Sequence, residues 1–298
     1  MKNLLIPAIL VWIATSAVIA QKPITVTEDS LYFGNSMYPG MMVTIPEVKY
    51  ENALKNWIKA LESGTKSKVV TENGEMTIFG AILKDIYAAP VNVYSKLVDA
   101  DTLLQLWASF ELKKDFYIEK PNGDTELSLA KNYLKQFSKD EYVEYVKTEV
   151  QAEQKILNDL EGELKSLKND KSRLQRSIRS SNGNINDEKD NLIIQNNELT
   201  TLSAEIIEQN NQLNAMESGA ARDEKVAYIK QLEKRKNALI KGIKKSQKRI
   251  NKSHSKISEA ELDIPKNESQ QEVLTKKIGE QQVVVNKYIT KLNTVKAY

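Results

Sequence analysis

Cysteine is absent from the 298-residue chain, and histidine occurs once, as His254. The missing cysteines exclude disulfides, cysteine-ligated zinc, thiol nucleophiles and the acylated cysteine of a lipoprotein. Because metal sites need several ligands, we interpret His254 as a surface residue. Aromatic residues make up only 7% of the chain and charged residues 28%, so a sizeable part is expected to be extended or helical rather than globular.

Long apolar runs are missing after the N-terminus, so the sequence predicts no later membrane-spanning helix. Residues 1–20 combine Lys2 with an apolar run over 4–13 and small residues before Gln21, the pattern of a signal peptide cleaved before Gln21. An uncleaved N-terminal anchor is the alternative. We expect an exported, periplasmic protein rather than one released at the surface.

Residues 41–137 predict a small α+β head with an antiparallel sheet and packed helices, and 21–40, rich in proline and glycine, predicts a leader or linker. Trp57 lies on the apolar face of an amphipathic helix, and Asn73-Gly74 is a strong β-hairpin signal. The predicted order is strand, helix, four strands and helix, over 41–45, 48–61, 68–71, 76–82, 91–98, 103–112 and 125–137.

Residues 138–298 predict a long antiparallel coiled-coil hairpin, because apolar residues repeat at heptad spacing along two series. The arms cover about 138–217 and 223–298, and the tip about 217–222. Ser138 followed by Glu141 fits a capping box at the start of the first arm. Pairing Met216 with Ile229 matches the two series throughout, and arms of about 70 residues would reach about 100 Å.

Two segments favour an alternative, a compact four-helix bundle. Ser180–Asn184 is turn-like, and Pro265 should interrupt a helix. Both segments preserve the heptad phase, which favours the hairpin. The pairing places them at one level, where we predict a hinge.

The most polarised stretch of the chain is basic and lies on the second arm. One interpretation is an anion-binding or partner-binding stripe; the other is a solvated face balanced by acids of the first arm. The candidate residues are Lys234, Arg235, Lys241, Lys244, Lys245, Lys248, Arg249 and Lys252.

No catalytic constellation can be assembled: the head has no glycine-rich phosphate loop, nucleophile elbow or metal-ligand spacing. We therefore expect no enzyme activity and no cofactor. Leu213 and Met216 are candidate contacts at the tip. Trp107 faces away from Phe110 on its strand, so it is either covered by a helix or partly exposed and useful.

The segments Val43-Thr44-Ile45-Pro46, Asn52–Trp57, Val91–Tyr94 and Ala108–Leu112 resemble those of exported Bacteroidota proteins in which a small α/β domain precedes a coiled-coil region. The resemblance covers the head and implies a periplasmic setting. It supplies no catalytic residue.

Three functions remain open. The first is a structural or interaction protein whose head docks on an envelope assembly, such as a membrane-bound complex, while its hairpin braces or spans to a protein partner. The second is a holdase chaperone that grips unfolded clients between helical arms. The third is small-ligand or glycan binding by the head. Nucleic acid is disfavoured by the export signal and the lack of interleaved aromatics.

Overall fold

The structure, a computed structural model, describes residues 23–101 and 103–298. The predicted signal peptide lies outside these residues. The described chain divides into two compact units. One contains the residues up to Glu153 together with Val285–Tyr298, and the other is Gln154–Val284.

The first unit is built on a fully antiparallel sheet, as the sequence predicts. The strands are β1 (Val26–Phe33), β2 (Ser36–Pro46), β3 (Val70–Glu72), β4 (Glu75–Ala81), β5 (Val91–Ala100), β6 (Leu103–Lys113) and β7 (Phe116–Tyr117). Their order in the sheet is β1-β2-β6-β5-β4-β3, and the short β7 pairs with the end of β6. Asn73 and Gly74, with φ of 51° and 80°, form the predicted turn between β3 and β4.

The segment expected to be a leader or linker differs from that expectation, because β1 and the first half of β2 lie within it. β1 is an edge strand with exposed polar residues such as Glu28 and Asp29, so its apolar alternation is weak. Gly40 is a strand residue rather than a linker residue. A Cβ at Gly40 would lie 2.8 Å from the carbonyl oxygen of Ala108, so the tight pairing of β2 with β6 requires glycine there.

One face of the sheet carries the main core. Helix α1 (Tyr50–Leu61) and the first turns of the next helix pack on it through buried apolar side chains. Trp57 is fully buried, its indole N–H donates to Ser95 Oγ at 3.0 Å, and its ring lies 5.0 Å from that of Phe137. The predicted amphipathic helix and its Trp57 face are confirmed.

Two long helices follow, α2 (Asp124–Asn214) and α3 (Ala220–Lys296), and they pack antiparallel as a coiled-coil hairpin. Both helices continue through Ser180–Asn184 and Pro265, so the hairpin is confirmed and the four-helix bundle is not adopted. Short buried side chains such as Ser181 replace leucine in the seam without ending the helix.

The predicted start of the first arm is wrong. α2 begins at Asp124, and Ser138 lies buried inside it with its hydroxyl donating to the carbonyl oxygen of Thr44 at 2.6 Å. The serine therefore fastens the helix to β2 instead of capping it. A capping-box pattern and a buried interior serine look alike in sequence, because both place a hydroxyl before polar residues.

The predicted pairing of the two arms is also wrong, by about one heptad. Continuing the pairing of Met216 with Ile229 places Glu188 opposite Ile257, whereas Glu188 binds Arg249, eight residues earlier. The observed tip is 215–219 rather than about 217–222. A seven-residue shift leaves the heptad phase unchanged, so phase alone cannot fix the pairing.

The observed pairing of the arms also places the turn-like segment Ser180–Asn184 and Pro265 at different levels of the hairpin. Asn267 Nδ2 donates to the carbonyl oxygen of Leu167 at 3.1 Å, and Lys171 binds Glu268 at 2.7 Å. Pro265 therefore lies beside this part of α2 and not beside Ser181. The single-level hinge predicted from the sequence is not formed.

Candidate interaction surfaces

A row of exposed lysines follows the outer side of α3. At 3.6 residues per turn, these lysines project within about 60° of Lys241, whereas the buried Leu232 and Ile250 project about 180° away. Between Lys225 and Ser258 the sequence has one acid, Glu233, which projects about 80° away from Lys241. We call this set the lysine row: Lys230, Lys234, Lys241, Lys244, Lys245, Lys248 and Lys252.

The two arginines of the predicted stripe have another role. Arg249 forms a bidentate pair with Glu188, with Nε–Oε1 at 2.5 Å and Nη2–Oε2 at 2.9 Å, and the bond from Arg249 lowers the pKa of that carboxyl. Arg235 binds Glu198. Glu188 and Glu198 lie on the first arm, which was expected to supply acids that balance the basic charge of the second arm. Among the described residues no ion pair is formed by the lysine row, so whether it binds an anion stays a prediction.

An arginine closes the tip. Arg222 Nη1 donates to the carbonyl oxygens of Leu213 at 2.7 Å and Met216 at 2.8 Å, close to Asn214, where α2 ends and the last carbonyls lose their partners four residues on. The Leu213 oxygen also accepts from the Met216 backbone N–H at 3.2 Å. Leu213 and Met216 are half-buried. Sequence reasoning missed Arg222, because the known signal is a basic residue in the last turn of the same helix, whereas Arg222 lies in the first turn of α3.

The last turns of α3 are fastened to the head at a contact that we call the root, formed by Glu47, Tyr142 and Lys291. Lys291 Nζ donates to Glu47 Oε2 at 2.5 Å, and the Tyr142 hydroxyl donates to Glu47 Oε1 at 3.2 Å. Lys291 Nζ also lies 5.6 Å from the centre of the Tyr142 ring. Beside it, Val146 and Val295 form a small buried cluster with Tyr142.

The root has the marks of a specified contact rather than a surface pair. The side chain of Lys291 is only 6% exposed and that of Glu47 22%. Glu47 has a φ of 60°, a left-handed conformation that a non-glycine residue adopts at a cost of about 1 kcal/mol. Burial, and then the charge of Glu47, raises the pKa of Tyr142. Sequence reasoning missed this site because nothing in the chain marks two charges 244 positions apart.

The second face of the sheet carries an aromatic cluster around a buried carboxylate. Tyr38 stacks on Tyr94 with centroids 5.0 Å apart, and Tyr117 lies 5.5 Å from Tyr38. Burial raises the pKa of Tyr117 to about 12. Trp107 is half-buried on this face, opposite Met42 on the neighbouring strand.

Glu111 is the buried carboxylate, and both of its oxygens accept hydrogen bonds. It accepts from Asn92 Nδ2 at 2.8 Å, the Asp115 backbone N–H at 2.9 Å and the Tyr94 hydroxyl at 3.2 Å. Burial raises the pKa of Glu111, but these bonds outweigh it and hold the pKa below its usual value. Because the half-buried rings pack on one another and both Glu111 oxygens already accept bonds from neighbouring groups, we interpret this arrangement as packing rather than as a binding site.

A shallow groove lies on the helical side of the head, between α1 and the start of α2. Its volume is about 580 Å³, and Leu129, Tyr133 and Phe137 supply its apolar lining, with Asp85 and Asp140 at its edges. Burial, and then the charge of Asp85, raises the pKa of Tyr133 to about 12. The groove combines apolar and acidic groups on an accessible surface of the head.

Among the residues that the structure describes, no group of three or more histidine, aspartate or glutamate side chains is placed to hold a metal ion. No helix within residues 23–101 and 103–298 is long and apolar enough to cross a membrane.

A scan against protein-family models finds no match, and a search of curated proteins finds none either. Among solved structures, the chain is similar to a coiled-coil segment of the Smc protein of Pyrococcus yayanosii, with 18% sequence identity and a TM-score of 0.44. The match covers 53% of this chain and 66% of that segment, slightly less than two thirds of its length. At this level of similarity the comparison bears on neither activity nor partners.

Proposed function

We propose that the protein is a non-enzymatic structural component of the periplasm of a bacterium belonging to the Bacteroidota. Its head docks on an envelope assembly, and its hairpin braces or spans to a protein partner. The observation that supports this proposal is the root, because both helices of the hairpin are fastened at the head. The groove lined by Tyr133 and Phe137 is the surface by which we expect the head to dock.

The contacts suit a connection that transmits force between the head and the hairpin. α2 leaves the head as one unbroken helix fixed by Ser138, and α3 is fixed by Lys291. Pulling either helix away would leave a buried charge or hydroxyl without its partner, and each such loss costs about 1–5 kcal/mol. A protein that only bound a small ligand in its head would have no use for two such attachments.

Shortening the hairpin tests whether its length matters. Deleting 174–180 and 257–263 together removes one heptad from each arm, about 10 Å, while the pairs Lys171–Glu268 and Glu188–Arg249 remain. Photo-crosslinkers at Glu217 in the tip and Leu129 in the groove would report the two ends in cells. We expect a discrete tip partner that is lost on shortening, and a head partner that is retained.

The control is a chain carrying the same crosslinkers at full length, with circular dichroism to show that the shortened chain keeps its helices. A tip crosslink that survives shortening unchanged would contradict the spanning role. Loss of the head crosslink alone would show that the deletion disturbs the first unit.

The chaperone hypothesis makes a different prediction at the tip. Replacing Leu213 and Met216 with serine should abolish protection of unfolded clients by a holdase, whereas a brace anchored by its head should tolerate the change. Leu213 and Met216 are half-buried, so part of each side chain is accessible to a client. Suppression of client aggregation by the parent chain, lost in this variant, would favour the chaperone over the brace.

A further inference from the structure

The lysine row is a bare cationic surface about 33 Å long, measured from Lys230 to Lys252 at 1.5 Å per residue. All seven lysines are exposed, and the side of α3 that packs in the seam is the opposite one. The residues between them on the same side, such as Asn237 and Ala238, are short. The ammonium groups are therefore the outermost atoms of this surface.

Arginines and lysines on this part of α3 differ in whether they form ion pairs with α2. The arginines at the flank, Arg235 and Arg249, bind glutamates of α2, while the lysines of the row bind no carboxylate within residues 23–101 and 103–298. Arginine suits fixed bidentate contacts, whereas lysine is a compact, strongly hydrated point charge on a flexible stem. The two arginines therefore hold the helices of the hairpin together, whereas the lysines of the row are available to bind another surface.

We propose that the lysine row binds the headgroup surface of an anionic phospholipid membrane, with this part of α3 lying along the surface. Helices carrying four to eight clustered basic residues bind anionic lipid by electrostatic attraction, without insertion. The charge complementarity carries the assignment, and the partner proposed for the tip plays no part in it.

The composition of the row argues against other occupants. Between Lys230 and Lys252 no large apolar side chain is exposed, so a partner helix would find no seam to pack against. No aromatic side chain is interleaved with the lysines, so nucleic-acid bases would find no stacking platform. An anionic membrane surface, by contrast, can be bound by a row of accessible cations alone, which is what the lysine row provides.

Vesicle sedimentation with the full chain tests the assignment. We expect binding to vesicles of phosphatidylcholine and phosphatidylglycerol in equal parts, and none to phosphatidylcholine alone. A lysine near an anionic surface contributes about a fivefold factor in affinity, so replacing Lys241, Lys245 and Lys248 with glutamine should weaken binding about 100-fold. Binding should vanish at 1 M salt, where the screening length falls to about 3 Å.

The matched control replaces Lys155, Lys165 and Lys168 of α2 with glutamine. These lysines are exposed and make the same change in net charge, and glutamine has a similar helix propensity. The control should bind like the parent chain, and circular dichroism should show unchanged helix content in both variants.

Three results with vesicles would overturn the assignment: no binding to the anionic vesicles, equal binding to both kinds of vesicle, or equal weakening by the row variant and the control. A duplex oligonucleotide that binds more tightly than the vesicles, and loses affinity in the row variant, would overturn it in favour of nucleic acid. Neither the vesicle nor the oligonucleotide measurement involves the proposed envelope partner, so the two proposals can fail separately.

Discussion

Replacing Lys291 with methionine should release the end of α3 from the head. Methionine keeps most of the length and the apolar stem of lysine, so little cavity is created. The change removes the Lys291 bond to Glu47 and leaves the bond from the Tyr142 hydroxyl in place. What is removed is the charge that Glu47 faces in a mostly buried site.

The expected cost follows from the burial of the two partners. Removing one member of a buried ion pair costs about 3–5 kcal/mol. Glu47 is 22% exposed and keeps one hydrogen bond, so we expect about 2–3 kcal/mol. That cost corresponds to an opening of the root that is about 30- to 160-fold more frequent.

Hydrogen exchange measured by mass spectrometry reports this opening directly. Amides in 285–298 should exchange faster by that factor in Lys291→Met, because exchange follows the free energy of local opening. The double variant Glu47→Gln with Lys291→Met should recover about 1–2 kcal/mol, since no unpaired carboxylate is left.

Lys276→Met serves as the control, because Lys276 is exposed on the same helix and makes no ion pair within the described residues. Unchanged exchange in 285–298 after Lys291→Met would refute the reasoning. So would an equal acceleration in the Lys276 control.

Three further predictions concern the tip, the middle of α2 and the head. Arg222→Ala removes two charge-assisted bonds to the end of α2, so amides in 210–218 should exchange about tenfold faster; unchanged exchange would show that the tip closes without it. Gly183→Ala should raise the stability of the hairpin by about 1 kcal/mol in urea unfolding followed by circular dichroism, since a Cβ there meets nothing within 4 Å, and a loss would indicate a turn. Because the pKa of Glu111 is held below its unfolded value of about 4.3, its contribution to stability is present above that pH and is lost as the pH falls through the folded pKa. Acid unfolding followed by fluorescence should therefore be less steep in Glu111→Gln, and identical curves would contradict this.

The elements of the head were largely predictable because their signals are local. The Asn73-Gly74 turn and the apolar face around Trp57 each follow from a few neighbouring residues. β1 was not predictable in the same way, since it is a half-solvated edge strand that pairs with β2 on one side.

The hairpin was predictable in kind but not in pairing. A heptad pattern fixes which side of each helix is buried, and this side is the same after a shift of seven residues. The contacts that select the pairing are polar: Arg222 at the tip, Arg249 with Glu188, and Asn267 with the backbone of α2. Such contacts depend on the ends of long side chains, which no periodicity describes.

The root also sets an order of events during synthesis. Most strands of the head pair with close neighbours in sequence, and even the longest pairing, of β2 with β6, joins Met41 to Ala108, whereas Glu47 must wait for a lysine 244 positions later. Contacts of such long sequence separation form late, because the intervening chain must first be brought together. A nascent chain halted before Lys291 would leave Tyr142 and Val146 uncovered by Val295, an apolar patch that chaperones and proteases recognise.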